Sequence, residues 1–309
     1  VGYRAAPERS RDYQNGAALA ARRNMLANEL LARFFTGELE PVPFNQMSKH
    51  QSIQLMTEVT IVASAFSADA VRRHGHAAWI EAASEAGAAG FEVRRELFAH
   101  EAETSPEGLR ALGAAIEARG LWAVYSTPMG LFCDDGALNA PALAAAHAEA
   151  DALGARCVKL QLGGFQGRAE AAAIARITAG RRARLLVENG QRSEDGSIDR
   201  FVDLFAALDR EGAPRALGMT FDIGNWLWAG EAPIDAARAL ARHVEYIHCK
   251  SSQGEGGRRF AAAPAPDDPL FAAVFEILPR HAPRGIEFPL DLRAPAEDAR
   301  RQVAWLAAA

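Results

Sequence analysis

Cysteine is scarce. Cys133, Cys157 and Cys249 are the only three in 309 residues, far apart and without a CxxC pair. That excludes a disulfide scaffold and a cysteine-built zinc ribbon. No stretch reaches 18 apolar residues free of charge, so the sequence offers no membrane span. The opening VGYRAAPERSRDYQ has no long hydrophobic core of the secretory type, and a reducing cytoplasm is the expected compartment. There is no basic excess either: 34 Lys and Arg face 39 Asp and Glu, for a net charge of -5. This removes any broad attraction to nucleic acid or an anionic membrane. What remains is 49% hydrophobic and 24% charged, in a chain long enough to bury a large core in one or two domains.

The chain divides near Met56. Residues 1–55 hold a polar opening, a helix expected near Ala17–Phe35 and the punctuated run TGELEPVPFNQMSKHQS. Seven basic and five acidic residues give this segment +2, leaving -7 for the other 254 residues. It reads as an N-terminal extension that packs on the main domain or a partner. A translated upstream stretch is the alternative, since MTEVTIVASAF from Met56 resembles a natural beginning.

From Val59 to the end, short β-branched or aromatic runs alternate with Ala-, Leu- and charge-rich segments of helical length. Strands are predicted at 59–66, 90–97, 121–128, 156–163, 184–190, 218–225, 244–251 and 284–291. Between them lie helical patterns such as SPEGLRALGAAIEARG at 105–120. There Ser105 caps, Pro106 takes the first position and Gly120 terminates. The first and last strand starts are 225 residues apart over seven units, about 32 per unit, which suits a (β/α)8 TIM barrel over residues 56–309. A doubly wound open sheet competes, but SAFSADAVRRHGHAAW after the first strand carries no glycine-rich phosphate fingerprint.

Charged side chains in buried parallel strands are costly unless paired, metal-bound or at an open end. Here they recur at the C-terminal ends of four successive strands: Glu188 after LLV, Asp222 after MTF, His248 after EYI and Glu287 after GI. Their separations of 34, 26 and 39 residues each approximate one βα unit. Alone, either glutamate would pass for a cap or solvated loop residue, Asp222 for an Asx-turn and His248 for a hydrogen-bonded core residue. Together they offer three carboxylates and an imidazole to one barrel mouth. That donor set suits one divalent ion, Mn2+, Mg2+, Co2+ or Zn2+.

The motifs VENG, FDIGN, YIHCK and GIEFP, carrying those four residues, resemble the xylose-isomerase-like TIM-barrel superfamily of sugar phosphate isomerases and epimerases. The resemblance covers about four fifths of the chain. It implies Glu188, Asp222, His248 and Glu287 as metal ligands, with Glu188 and Glu287 also the catalytic acid/base pair. The implied reaction is proton transfer through a metal-stabilised enediolate of a small sugar, sugar acid or sugar phosphate. It implies self-association too, since such barrels often dimerise.

Two departures stand out. Many epimerases of the superfamily have histidine three residues beyond the aspartate, where this chain has Asn225, an amide able to orient a hydroxyl but not to supply an imidazole proton. Many relatives also continue His-x-Lys-Asp, where Ser251 follows Lys250 here. The extra histidines of the endonuclease branch are not evident, which with the acidic barrel argues against nucleic acid.

Period-2 spacing places Lys159 with Gln161, His248 with Lys250, and Glu92 with Arg94 and Glu96 on inner faces. The expected substrate-binding set is Glu92, Lys159, Gln161, Asn225, Lys250 and Arg258, the last on the long loop SSQGEGGRRFAAAPAPDDP. For Lys159 an ion-pair layer inside the barrel is the competing reading, and for Arg258 a solvated loop. Trp226, Trp228, Phe66 and Phe165 are wall candidates, with packing beneath loops as the alternative for the tryptophans. A metal-dependent isomerase or epimerase acting on a small polyhydroxy molecule leads. A metal-dependent dehydratase of 3-dehydroshikimate or inosose type and a non-catalytic carbohydrate-binding protein are the alternatives.

Overall fold

Eight of the short apolar runs become parallel strands of one closed barrel in the computed structural model, which describes residues 57–254 and 259–309. They are β1 Val59–Val62, β2 Gly90–Arg94, β3 Trp122–Phe132, β4 Cys157–Gly163, β5 Arg184–Glu188, β6 Gly218–Asp222, β7 Val244–Cys249 and β10 Arg284–Ile286. Two further strands, β8 Ser251–Gln253 and β9 Phe260–Ala262, pair antiparallel outside the barrel. Around the barrel the order is β1-β10-β7-β6-β5-β4-β3-β2, so chain neighbours are also sheet neighbours and β10 closes onto β1. This is the TIM barrel expected from the sequence. The helical extension expected over residues 1–55, Met56 and Arg258 lie outside the described residues.

The helices are α1 Ala68–His74, α2 Ile80–Glu85, α3 Pro106–Ala118, α4 Ala140–Leu153, α5 Ala171–Thr178, α6 Ile198–Arg210, α7 Ile223–Ala229, α8 Pro233–Leu240, α9 Pro269–Ile277 and α10 Pro295–Ala308. In α3 the sequence signals act as expected: Ser105 Oγ accepts from Gly108 N, Pro106 opens the helix and Gly120 follows its end at φ +72°. In α6, Phe201, Leu204, Phe205 and Leu208 recur at helical spacing and bury one stripe in the core, while Ser197 caps the first turn. Among the described residues no helix is long and apolar enough to cross a membrane.

The barrel interior is layered. Val124, Leu186 and Tyr246 form a small apolar plug, apart from the large core between the strands' outer faces and the helices. Next to the plug lie Thr60, Glu92, Lys159 and His248, all fully buried. Gly285 makes room for this packing: a Cβ there would sit 2.5 Å from Tyr246 Oη and 2.9 Å from His248 Cδ2.

Several predicted strands end early, each for a local reason. After β1 the chain turns into a 3-10 segment, Ala63–Phe66. After β6 it enters α7, because Asp222 caps that helix by accepting from Asn225 N at 2.9 Å, so Asn225 is helical rather than extended. By contrast β3 runs four residues past its predicted end. Its register against β4 shifts between Ser126 and Gly130, and the close approach of Gly130 to Gly163 lets pairing resume. The long segment after β7, which the sequence presents as a loop, contains the antiparallel pair β8–β9.

Candidate metal centre

Strand register brings the polar ends together. Asp222 on β6 pairs directly with His248 on β7, His248 lies opposite Gly285 of β10, and Glu287 follows that strand's end. On the other side Gln161 of β4 pairs with Glu188 of β5. Glu188, Asp222, His248 and Glu287 each offer one ligand atom, and the four atoms lie within 4.8 Å of one another. His248 Nδ1 is 2.9 Å from Glu188 Oε1, 2.9 Å from Glu287 Oε2 and 3.7 Å from Asp222 Oδ2.

The far side of the imidazole is anchored. His248 Nε2 is 2.9 Å from Glu92 Oε2, which also accepts from Tyr246 Oη at 3.0 Å; Tyr246 in turn meets Thr60 Oγ1 at 2.5 Å. With the ring proton on Nε2 donated to Glu92, the Nδ1 lone pair faces the three carboxylates, the orientation a metal ligand needs. Lys159 Nζ lies 3.0 Å from Glu92 Oε1 and donates to Glu188 Oε1 at 2.9 Å, and Gln161 Nε2 donates to Glu188 Oε2 at 2.7 Å. Lys250 Nζ is 2.6 Å from Asp222 Oδ2 and 2.7 Å from Glu287 Oε2. Arg94 pairs with Glu287 Oε1 and, at 2.7 Å, with Glu96.

Burial and charge compete at every one of these groups. Burial raises the Glu188 carboxyl, but Lys159 and His248 outweigh it and hold the group below the usual carboxylate range. Burial likewise opposes ionisation of Glu287, and Lys250, His248 and Arg94 overcome it. Glu92 is held down at about 2 by Lys159 and His248 against the same penalty. At Asp222 burial wins over Lys250 and the group is raised. Burial and Lys159 lower His248, yet Glu287, Glu92 and Glu188 carry it well above the ordinary imidazole value.

The donor set fits a divalent ion on chemical grounds. Three carboxylate oxygens and one imidazole nitrogen are ligands that Mn2+, Mg2+, Co2+ and Zn2+ accept to differing degrees. With His248 deprotonated, as metal ligation requires, the linked network holds five carboxylates (Glu92, Glu96, Glu188, Asp222 and Glu287) against three cations (Arg94, Lys159 and Lys250), five minus three leaving two excess negative charges. A single divalent cation balances that excess.

An open cavity of about 290 Å³ lies over the cluster, lined by Arg94, Gln161, Glu188, Asn225, Lys250 and Glu287 together with the loop after β5. Of the expected substrate contacts, Gln161, Asn225 and Lys250 line it. Glu92 and Lys159 do not: both are 0% exposed, one layer deeper under His248, as the ion-pair layer that was the competing reading for Lys159. Trp226 is fully buried between Phe201 and Phe221, so it packs beneath the loop. Phe66 stacks on Trp79, and Phe165 packs at a tilt against Phe132; both phenylalanines are buried. Trp228 is half-buried, with its ring centroid 5.7 Å from Lys250 Nζ. Arg259, beside Arg258, donates to the carbonyls of Leu227 and Trp228 and ties the hairpin to α7.

Two residues of the site escaped the sequence reading. Arg94 shares the period-2 face of Glu92 and Glu96, but its contact with Glu287, 193 residues away, has no local sequence signal. Asn189 follows Glu188 in the chain and is not among the expected site residues. Its side chain donates to Asp222 O at 3.0 Å and accepts from Asp222 N at 2.9 Å, while its carbonyl accepts from Asn225 Nδ2 at 2.8 Å. It locks the ends of β5 and β6 together, and the NG step of VENG was the only local signal for it.

Several solved structures share this architecture. A xylose isomerase domain protein from Planctomyces limnophilus aligns with 19% identity and a TM-score of 0.54, over 81% of this chain and 94% of that one. An L-ribulose 3-epimerase aligns with 16% identity and a TM-score of 0.58, over 82% and 95%. A probable 3-DHS dehydratase of petrobactin synthesis from Bacillus anthracis aligns with 13% identity and a TM-score of 0.55, over 81% and 98%. At these identities the likeness concerns the fold. No curated protein sequence is similar enough to count as a match. Residues 80–309 match the family described as xylose isomerase-like TIM barrel, and the chain belongs to that family.

Proposed function

We propose that the protein is a divalent-metal-dependent isomerase or epimerase of a small sugar, sugar acid or sugar phosphate. One observation carries this reading: two glutamates, on strands separated by two others, converge with Asp222 and His248 within 4.8 Å under an open cavity. Glu188, Asp222, His248 Nδ1 and Glu287 would hold the ion, which when bound supplies Lewis-acid polarisation of a carbonyl and its neighbouring hydroxyl. Glu188 and Glu287 do the proton work. One takes the proton from the carbon next to the carbonyl, and the other returns a proton to the opposite face or to the adjacent carbon. Gln161 orients Glu188 by its 2.7 Å bond, and Asn225 stands at the cavity wall where it can orient a hydroxyl.

Proton exchange tests this directly. With Mn2+ present and a panel of ketoses, aldoses, oxo-acids and their phosphates in D2O, one carbon-bound proton of a substrate should exchange for deuterium. Glu188→Gln and Glu287→Gln should each abolish product formation. No exchange across the panel counts against the proposal.

Dehydration is the second reading, favoured by Lys250 and Arg94 beside Glu287. Two cations at one end of the cavity suit a departing hydroxyl. Loss of one water from 3-dehydroshikimate or an inosose, seen in product mass, would select it over isomerisation.

A further inference from the structure

The ammonium of Lys250 stands where a metal ion's charge would be felt most. His248 and Lys250 are two residues apart on β7 and its continuation, so both side chains enter the barrel. Lys250 Nζ contacts Asp222 Oδ2 at 2.6 Å and Glu287 Oε2 at 2.7 Å, and these same oxygens lie 3.7 Å and 2.9 Å from His248 Nδ1. A divalent ion bound to Asp222 Oδ2 at about 2.2 Å could lie no farther than about 4.8 Å from an unmoved Nζ. At that separation the two cations repel strongly inside a buried site.

The other cations of the cluster are held differently. Lys159 is 0% exposed and fixed between Glu92 and Glu188, leaving it no room to withdraw. Lys250 lines the cavity, and the half-buried Trp228 ring lies 5.7 Å from Nζ, offering a cation a favourable aromatic face.

We propose that Lys250 is a tethered counter-cation that competes with the divalent ion for Asp222 and Glu287 and must withdraw toward Trp228 when the ion binds. The inference rests on the metal-dependent reading of the site. It gives this chain a cost for metal uptake, set by one side chain. Glu287 meets a cation on both sides, Lys250 at Oε2 and Arg94 at Oε1.

The test is Mn2+ binding to the full, metal-free chain, followed by the electron paramagnetic resonance of free Mn2+. Lys250→Met should bind one Mn2+ at least about tenfold more tightly than the unmodified protein, a modest bound given screening and relaxation around a buried pair. Lys250→Arg keeps the positive charge and should stay within roughly threefold of the unmodified protein. Lys250→Gln provides a second neutral side chain should the methionine variant fold poorly, and circular dichroism melts confirm that each variant is folded. Equal or weaker binding by the folded neutral variants overturns the proposal. The metal reading is scored separately: Mn2+ binding by the unmodified protein that Asp222→Asn abolishes upholds it whatever Lys250 does. Absence of Mn2+ binding in every protein sinks both.

Discussion

Replacing Lys159 with methionine removes an ammonium in contact with both Glu92 and Glu188, at 3.0 Å and 2.9 Å, and leaves a side chain of similar length. All three side chains are at least 96% buried, so water cannot readily replace the lost ammonium. Removing one partner of a buried ion pair costs about 3–5 kcal/mol, because the remaining charge is left uncompensated. Glu188 retains the 2.7 Å bond from Gln161, which places the expectation near the lower bound, about 3 kcal/mol. For a domain of this size that corresponds to a melting point lower by roughly 6–12 °C. Urea unfolding in metal-free buffer measures the loss. The double variant Lys159→Met/Glu92→Gln should be more stable than Lys159→Met alone, since it removes one stranded carboxylate together with its cation. A loss below about 1 kcal/mol, or a double variant worse by the full sum of the singles, would refute the view of this layer as a coupled charge network.

Other consequences are accessible to stability measurements. His76 is 1% exposed, its Nε2 accepts from Arg94 N at 3.2 Å, and burial lowers its pKa from 6.5 to about 4. Below pH 6.5 the unfolded chain takes up a proton that the folded chain refuses. Stability should therefore be level above that pH with respect to this residue, and fall by about 3 kcal/mol as pH drops from 6.5 to 4. His76→Gln, compared by urea unfolding across that range, should flatten the slope; an unchanged slope would contradict the assignment. Asn189→Ala removes a hydrogen bond from each of the buried backbone N–H and C=O of Asp222, at an expected cost of about 2–3 kcal/mol. It should also loosen the end of β6, which hydrogen exchange at Asp222 N would register.

The sequence made the repeat legible because each βα unit brings its own strand and helix periodicity, and the cap of α3 is written out in Ser105, Pro106 and Gly120. The four proposed ligands were legible because each is a charge where an apolar strand should continue. Depth was not. Alternation assigns a face, but only the register between strands decides the layer. Gln161 pairs with Glu188 at the mouth, whereas Lys159 pairs with Leu186 and sits below it. The same ignorance of register made Glu92 look like a substrate contact. Contacts between distant strand ends, such as Arg94 with Glu287 or Asn189 with the backbone of Asp222, depend on the barrel closing and leave no local pattern. Strand ends were overrun where a buried apolar run passes from strand into a 3-10 or helical turn, as at Ala63 and Ile223.

The most direct test of the proposed centre is the anomalous scattering of manganese in crystals of the full chain soaked in Mn2+. The proposed centre requires one strong peak within about 2.0–2.4 Å of carboxylate oxygens of Glu188, Asp222 and Glu287 and of His248 Nδ1. A well-ordered site with no peak at saturating Mn2+, or a peak held by other residues, would contradict it.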